Sequence, residues 1–578
     1  QVNGLTRVGD FKDVSFQLRR SEILGIAGLI GSGRTELVRG IFGADPVDGG
    51  EVQVNGRSLR LADPNRAIQQ GLALIPEDRK SQGLVLSHSV RVNITLPSLK
   101  SLSNFSFVSK KRENQMVQRS LEQLDIQLSN PEQQVGYLSG GNQQKVVLAK
   151  WLNAGPQVLI FDEPTRGIDV GAKSEIHHLM RQLAESGKSI LMISSELPEI
   201  LNLSDRILVM SGGQIAGELT GSQASEEDIL ALAYQNVSIQ RDNGNNGSST
   251  LPLEKITSRP GLKEGLAAGI KSLNLGENVV FVILLGLVVL GILSTGNFLS
   301  IPNLSNVLRQ MVIPMLLGIG QTLVILSGGI DLSVSAVVTL ANVYAAGMML
   351  GMNERLLPIA LLCLGVGLLI GAINAFVVIK LRVVPIIATL GMMVIGRGLA
   401  LIYTREPIGR IPPALYAIST GQVGPFPIST IWLLLIIIFS FILLYRTAFG
   451  RHLYAVGGDS LISRLSGIAV DRVRAFSYLL SGLLAALTGL FLTSRMGSGD
   501  PSVGSGLELD SIAAVLLGGT VLGGGRGGLV GTLAGVLVLV LLGNVFNQLG
   551  LRFWHQQIAK GIIIILAVVI YKVRSTSY

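Results

Sequence analysis

The stretch Gly28-Leu29-Ile30-Gly31-Ser32-Gly33-Arg34-Thr35 carries the first chemistry that the sequence offers. Its glycines let the backbone turn N–H groups inward on phosphate oxygens, and a helix starting at the loop's end adds a favourable dipole. Thr35 stands where a hydroxyl would hold Mg²⁺. Arg34 stands where the usual pattern has lysine, and spreads the same charge over a planar fork. Taken alone, such a loop could equally be a structural turn. Asp162-Glu163-Pro164-Thr165 adds two adjacent carboxylates. Asp162 is expected to hold Mg²⁺ through water and Glu163 to polarise an attacking water as a general base. Leu138-Ser139-Gly140-Gly141-Asn142 offers exposed N–H groups at a helix start, a second anion site.

These groups need elements to hold them. The apolar run Ile23-Leu24-Gly25-Ile26-Ala27 precedes the glycine loop and Glu36-Leu37-Val38 opens a helical pattern after it, giving strand, loop and helix. Val158-Leu159-Ile160-Phe161 reads as a buried strand that ends at the carboxylates. Residues 1–240 are therefore expected to form an α/β P-loop domain. Residues 241–252 are polar and aperiodic, so a linker is expected over 241–270.

The composition changes after that. Of 578 residues, 48% are hydrophobic, 15% are charged and 70 are glycine, the balance of a membrane protein. Residues 271–578 are expected to form an all-α polytopic membrane domain, because about 30 Å of hydrocarbon needs roughly twenty apolar residues at 1.5 Å each. Apolar runs lie near 278–294, 309–327, 333–351, 356–380, 384–403, 429–445, 474–494, 510–522, 528–548 and 557–571, about ten helices, of which 510–522 is the shortest candidate. Arg446, Arg451, Arg464, Arg472 and Arg474 share one connection, and Lys572 and Arg574 follow the last run. The excess of positive charge marks that side, and with it the α/β domain, as cytoplasmic. It also accounts for the net charge of +9 without nucleic acid. The single cysteine, Cys363, lies in an apolar run and excludes a disulfide framework within the chain. The chain begins at Gln1, which leaves open a preceding segment.

The glycine loop, Leu138-Ser139-Gly140-Gly141, Asp162-Glu163-Pro164-Thr165 and Gly167-Ile168-Asp169, in this order, resemble the nucleotide-binding domain of ATP-binding cassette transporters. The resemblance covers residues 1–240 and implies ATP and Mg²⁺ as cofactors. It implies that the Leu138–Asn142 signature closes in trans over ATP held by a second cassette, and that Asp169 communicates across that dimer. Two further positions depart from the pattern: Glu77 stands where the family usually has glutamine, and Ser195 where it usually has histidine. Serine cannot carry a proton or a positive charge to the γ-phosphate. With Arg34, Glu77 and Ser195 altered but Asp162, Glu163 and the signature kept, the domain is expected to be the degenerate half of an asymmetric pair whose intact partner lies on another chain or ahead of Gln1.

The membrane half is similar to permeases of bacterial sugar importers of the ribose, galactose, xylose and autoinducer-2 class. The carrying residues are Gly320-Gln321-Thr322, Ser327-Gly328-Gly329-Ile330-Asp331-Leu332-Ser333, Thr389-Leu390-Gly391-Met392, Leu517-Gly518-Gly519-Thr520 and Gly523-Gly524-Gly525-Arg526-Gly527. This resemblance implies an inner-membrane importer of a small sugar, fed by a periplasmic binding protein and completed by a partner permease subunit. A regulatory subunit whose cassette only binds ATP is the rival reading. Residues 450–467 read as a coupling helix, with Leu461, Leu465 and Ile468 at helical spacing, or else as a solvated basic loop. Polar groups in spanning segments, Gln321, Asp331 and Asn374 foremost, then Asn342, Glu508 and Asp510, are candidates for the substrate pathway. For Asp331 a helix N-cap is the alternative, and for Asn374 helix-packing hydrogen bonds.

Overall fold

The computed structural model describes residues 1–235 and 279–562, apart from 60, 169, 295, 553 and 560. The expected linker, the larger part of the run at 557–571, Lys572, Arg574 and Asp169 lie outside the described residues. Two units form: the N-terminal residues together with Asp459–Ala469, and a helical unit made of the rest.

The first unit is built on a six-stranded sheet in the order Gln214–Thr220, Arg206–Ser211, Ile23–Gly28, Ser189–Ile193, Val158–Asp162, Leu72–Ile75. The last five strands run parallel and only Gln214–Thr220 is antiparallel. Helices cover the central strands, so these read as continuous apolar runs rather than alternating ones: Ile23, Leu24, Ile26, Leu159, Ile160, Phe161, Ile190 and Met192 are fully buried. The register pairs Ile193 with both Ile26 and Asp162. The carboxyl ends of three neighbouring strands therefore stop at one level, where open α/β sheets hold their ligands. A four-stranded antiparallel sheet, Phe11–Phe16, Val2–Arg7, Gly49–Val54 and Arg57–Ser58, completes the core on the N-terminal side.

Nine described helices match nine of the expected apolar runs: Val279–Ser294, Ile301–Leu326, Val334–Met349, Leu356–Ile379, Pro385–Tyr403, Ile428–Arg446, Val470–Met496, Leu507–Leu517 and Leu529–Gln548. Six helical segments are long and apolar enough to cross a membrane; Val280–Ser294 and Val334–Met349 are apolar but shorter. Leu507–Leu517, at 11 residues, is too short to cross a bilayer. The Val470–Met496 helix packs with Leu356–Ile379 through glycine: a Cβ on Gly482 would lie 2.1 Å from the Gly367 carbonyl oxygen, so the backbones approach as closely as small residues permit. A short helix, Pro413–Thr420, and a two-stranded hairpin, Gln422–Val423 with Phe426–Pro427, were not anticipated.

Candidate functional site

Ile23–Gly28 ends in the glycine loop, and the Arg34–Phe42 helix begins from Gly33 at φ 88°. A Cβ on Gly33 would lie 2.5 Å from the Asp10 carbonyl oxygen, so both conformation and space require glycine. Thr35 Oγ1 donates to Asp162 Oδ1 at 3.1 Å. Two residues far apart in sequence thus meet as a hydroxyl and carboxylate pair suited to Mg²⁺. The Ser32 hydroxyl is buried in the loop without a partner, an orphaned donor that a phosphate oxygen would satisfy. This donor set fits ATP with Mg²⁺.

Arg34 does not project outward. Its Nη1 donates to the Ser194 carbonyl oxygen at 2.8 Å, and the residue is buried. Burial pulls its pKa down, while the Glu163 and Asp162 carboxylates oppose that shift. Burial pushes the Asp162 carboxyl up to about 6; the Thr35 hydrogen bond works against this and the charge of Glu163 adds to it. Glu163 has φ 50°, a left-handed backbone that turns the residue out of the strand direction. Its Oε2 accepts from Ser195 Oγ at 3.0 Å.

Glu77 forms an ion pair with Arg166. Arg79, which the sequence reading passed over, donates through Nη1 to the Arg166 carbonyl and through Nη2 to the Gly167 carbonyl, both at 3.2 Å, and through Nε to Gln143 Oε1 at 3.4 Å. A Cβ on Gly140 would lie 2.7 Å from Arg79 Nη2, which explains the glycine there. Ser139 caps the Gly140–Leu152 helix by accepting from the Asn142 N–H at 3.4 Å, and Asn142 Oδ1 accepts from the Gln127 N–H at 2.8 Å. Gln144 Nε2 donates to the Pro164 carbonyl at 3.2 Å. Lys150, almost completely buried on the same helix, donates to the Gly83 carbonyl at 2.8 Å, and burial pushes its pKa down to about 7. The signature, the π-helical turn Arg79–Gly83 and the segment after Asp162 are thereby tied together.

Ser460–Leu465 belongs to the same unit as these residues and packs on Arg79–Gly83 and on Pro64–Gln69. Ile462, Leu465 and Ile468 are buried, and a Cβ on Gly467 would lie 2.8 Å from Ile68 Cδ1. This corrects one assignment. Leu461 is 46% exposed, and its neighbour Ile462 enters the contact instead. Asp459 fixes the helix start and hence its rotation, accepting from the N–H groups of Leu461 and Ile462.

In the helical unit the three foremost polar candidates converge. Asp331 Oδ1 accepts from the Ser333 N–H at 3.0 Å, from Ser333 Oγ at 2.6 Å and from Asn374 Nδ2 at 3.5 Å, and Oδ2 accepts from Ser481 Oγ at 2.8 Å. Gln321 Nε2 donates to the Asp331 carbonyl at 3.3 Å. Gln321 and Asp331 have no exposed surface and Asn374 has 1%. The three join four helical segments from inside and present nothing to a passage in this conformation. Asn342 is tied likewise, to Thr493 Oγ1 at 2.9 Å and to the Asp500 N–H at 2.7 Å. Glu508 pairs with Arg397 at 3.3 Å. Arg397 was passed over, although a charge inside the apolar run 384–403 was a readable signal. Asp510 lies half-buried in the first turn of Leu507–Leu517.

Two families match the chain: ABC transporter over residues 11–166, and branched-chain amino acid transport system / permease component over residues 303–568. The chain is 52% identical over 233 residues to the ribose import ATP-binding protein RbsA of Oceanobacillus iheyensis, covering 40% of this chain and 47% of that protein. It is also 52% identical over 232 residues to a putative ribose/galactose/methyl galactoside import ATP-binding protein of Rhizobium etli, covering 40% of this chain and 44% of that protein. The chain spans about half the length of the curated relatives it matches. A dimeric ABC transporter cassette of known structure, MJ0796, aligns over 39% of this chain and 99% of its own with 20% identity and a TM-score of 0.35. Residues 11–166 thus match an ABC transporter cassette and residues 303–568 a permease component, joined in one chain whose helical unit has six segments long and apolar enough to cross a membrane.

Proposed function

We propose that the chain is one half of an ATP-driven importer of a monosaccharide or similar small polar solute. Its cassette lies in the cytoplasm and its helical unit in a bacterial inner membrane, and a periplasmic binding protein delivers the solute. The similarity to ribose and ribose/galactose/methyl galactoside import ATP-binding proteins favours a sugar over a branched-chain amino acid, autoinducer-2 or a nucleoside. Gly28, Gly31, Ser32, Gly33 and Thr35 hold the phosphates, and Thr35 and Asp162 hold Mg²⁺.

The observation that carries the reading is the pairing of Glu163 with Ser195 beside an Arg34 drawn back onto the Ser194 carbonyl. The ATP-holding parts are present, but the groups facing the γ-phosphate engage one another. The chain's own site therefore binds ATP and turns it over slowly. Its Leu138–Asn142 signature completes a competent site on a second, intact cassette, with Glu77 and Asp169 at the segments that sense that partner. Ser460–Leu465 carries cassette closure to a dimer of membrane domains.

The test is ATP hydrolysis by the purified chain, alone and with an intact cassette of the same class, with and without a sugar-loaded binding protein. Low hydrolysis alone and stimulation by both additions are expected. Rapid hydrolysis by the chain alone, abolished by Arg34→Ala, would overturn the reading. The same Glu163–Ser195 contact favours, as a second reading, a regulatory half that binds ATP and only gates transport; hydrolysis unaffected by the signature variant Ser139→Arg would decide for it.

A further inference from the structure

The Pro385–Tyr403 helix packs through a narrow seam. Thr389, Met393, Gly396 and Ala400 are buried on it, and a Cβ on Gly396 would lie 2.8 Å from Ala336 Cβ. The opposite face is open and apolar, with Ile387, Val394, Ile395 and Ile402 among its exposed residues. Arg397 sits at the border of the two. Its side chain is 38% exposed, and its Nη2 lies 3.3 Å from Glu508 Oε1. Glu508 is nearly buried, and its Oε2 accepts from the Gly506 N–H at 3.0 Å, so the carboxylate is fixed by its own loop.

The depth of this pair is informative. Arg397 comes twelve residues after Pro385, about 18 Å along a helix of about 28 Å. Lys380 and Arg382 sit just before that helix and Arg405 just after it, so charged residues bracket both of its ends. The pair thus lies well inside the hydrocarbon thickness. A half-exposed guanidinium at that depth cannot face lipid tails without a large penalty; such groups face water or a partner. Glu508 belongs to Leu507–Leu517, a helix that stops short of crossing, which is how polar groups are presented inside a membrane.

We propose that Arg397 and Glu508 form the solute contact of the permease. The solute is neutral and hydroxyl-rich. The pair sums to zero charge, so it does not trap an ion, yet it offers a carboxylate acceptor beside a planar fork of donors. The buried cluster of Gln321, Asp331 and Asn374 is the scaffold behind the passage, not its lining. The solute class rests on the importer reading above, whereas the water-facing position of Arg397 does not.

The chain offers its own reporter. Cys363 is its only cysteine and is fully buried, so a thiol placed at Arg397 is read against a silent background. Membranes carrying the full chain with Arg397→Cys are treated with a negatively charged methanethiosulfonate, which reacts with thiols in water. Labelling about tenfold faster than the unaltered chain is expected. No labelling, whether lipid or a second copy covers the residue, overturns the proposal. In cells with the complete transporter, Glu508→Gln and Arg397→Lys should lower uptake of radiolabelled D-ribose, D-galactose or D-xylose about tenfold while ATP hydrolysis stays within about twofold. Hydrolysis falling in step with uptake would mean that the pair only holds the fold together, and also overturns it. If the unaltered transporter imports none of these sugars while Arg397→Cys is still labelled, the sugar reading and the solute class fail and the water-facing position stands.

Discussion

Ser195 Oγ donates to Glu163 Oε2 at 3.0 Å, at the level where three parallel strands end. A serine hydroxyl at this point satisfies the carboxylate without bringing a charge. It therefore stabilises a resting Glu163 but supplies nothing to charge that develops on a transferring phosphoryl group. Glu163→Gln is accordingly expected to change steady-state ATP hydrolysis of the assembled transporter by less than about threefold, whereas Ser139→Arg should lower it by about a hundredfold. Hydrolysis assays of the two variants decide. A large loss from Glu163→Gln would place the working site on this chain.

Arg79 holds the Arg166 and Gly167 carbonyls and Gln143 with one guanidinium. Lysine offers a point charge and cannot span three acceptors in that geometry. Arg79→Lys should therefore behave like Arg79→Ala, with ATP binding retained and partner-stimulated hydrolysis down by about tenfold. Nucleotide binding by fluorescence, measured beside hydrolysis, checks this. Full activity in the lysine variant would show that charge alone suffices.

Ile462 and Leu465 anchor Ser460–Leu465 in the cassette unit. Ile462→Asp buries an unpaired carboxylate in that contact, which is far costlier than trimming a side chain. The expected result is loss of most solute uptake while basal ATP hydrolysis persists. Leu461→Asp, on the exposed side, should leave both unchanged.

Lys150 links the signature helix to the Gly83 carbonyl, and burial holds its pKa near about 7, below the ordinary 10.5. Between those values the unfolded chain binds a proton that the folded cassette lacks. The stability contributed by the neutral amine is thus complete above about 10.5 and is lost as pH falls toward about 7. In Lys150→Met the melting temperature of the cassette should depend less on pH across this window than in the unaltered chain. Thermal scans at several pH values measure the difference, and parallel slopes would count against a buried titrating amine.

Asp331 is sealed among Ser333, Asn374 and Ser481. Removing one partner strands buried donors at about 1–3 kcal/mol, more where a charged group is involved. Asp331→Ala should lower the thermal stability of the detergent-solubilised chain clearly, and Asn374→Ala less so. Stability unchanged in both would return these residues to the list of solute contacts.

Much of this protein is legible along the chain. Glycine loop, paired carboxylates and signature identify themselves because their chemistry depends on neighbours one to five residues apart. Nine apolar runs became nine described helices because an unbroken apolar run is a local property, and six helical segments are long enough to cross a membrane. What sequence order could not supply is which distant groups meet. The Thr35–Asp162 pair and the seating of Arg34 on the Ser194 carbonyl are set by strand order and register. The choice of Ile462 over Leu461 depends on helix rotation fixed by the Asp459 cap. Gln321, Asp331 and Asn374 carry the same polar signal as Glu508. Only packing separates them, because a polar group's role follows from whether its neighbours leave it open, and that is decided by helices far away in sequence.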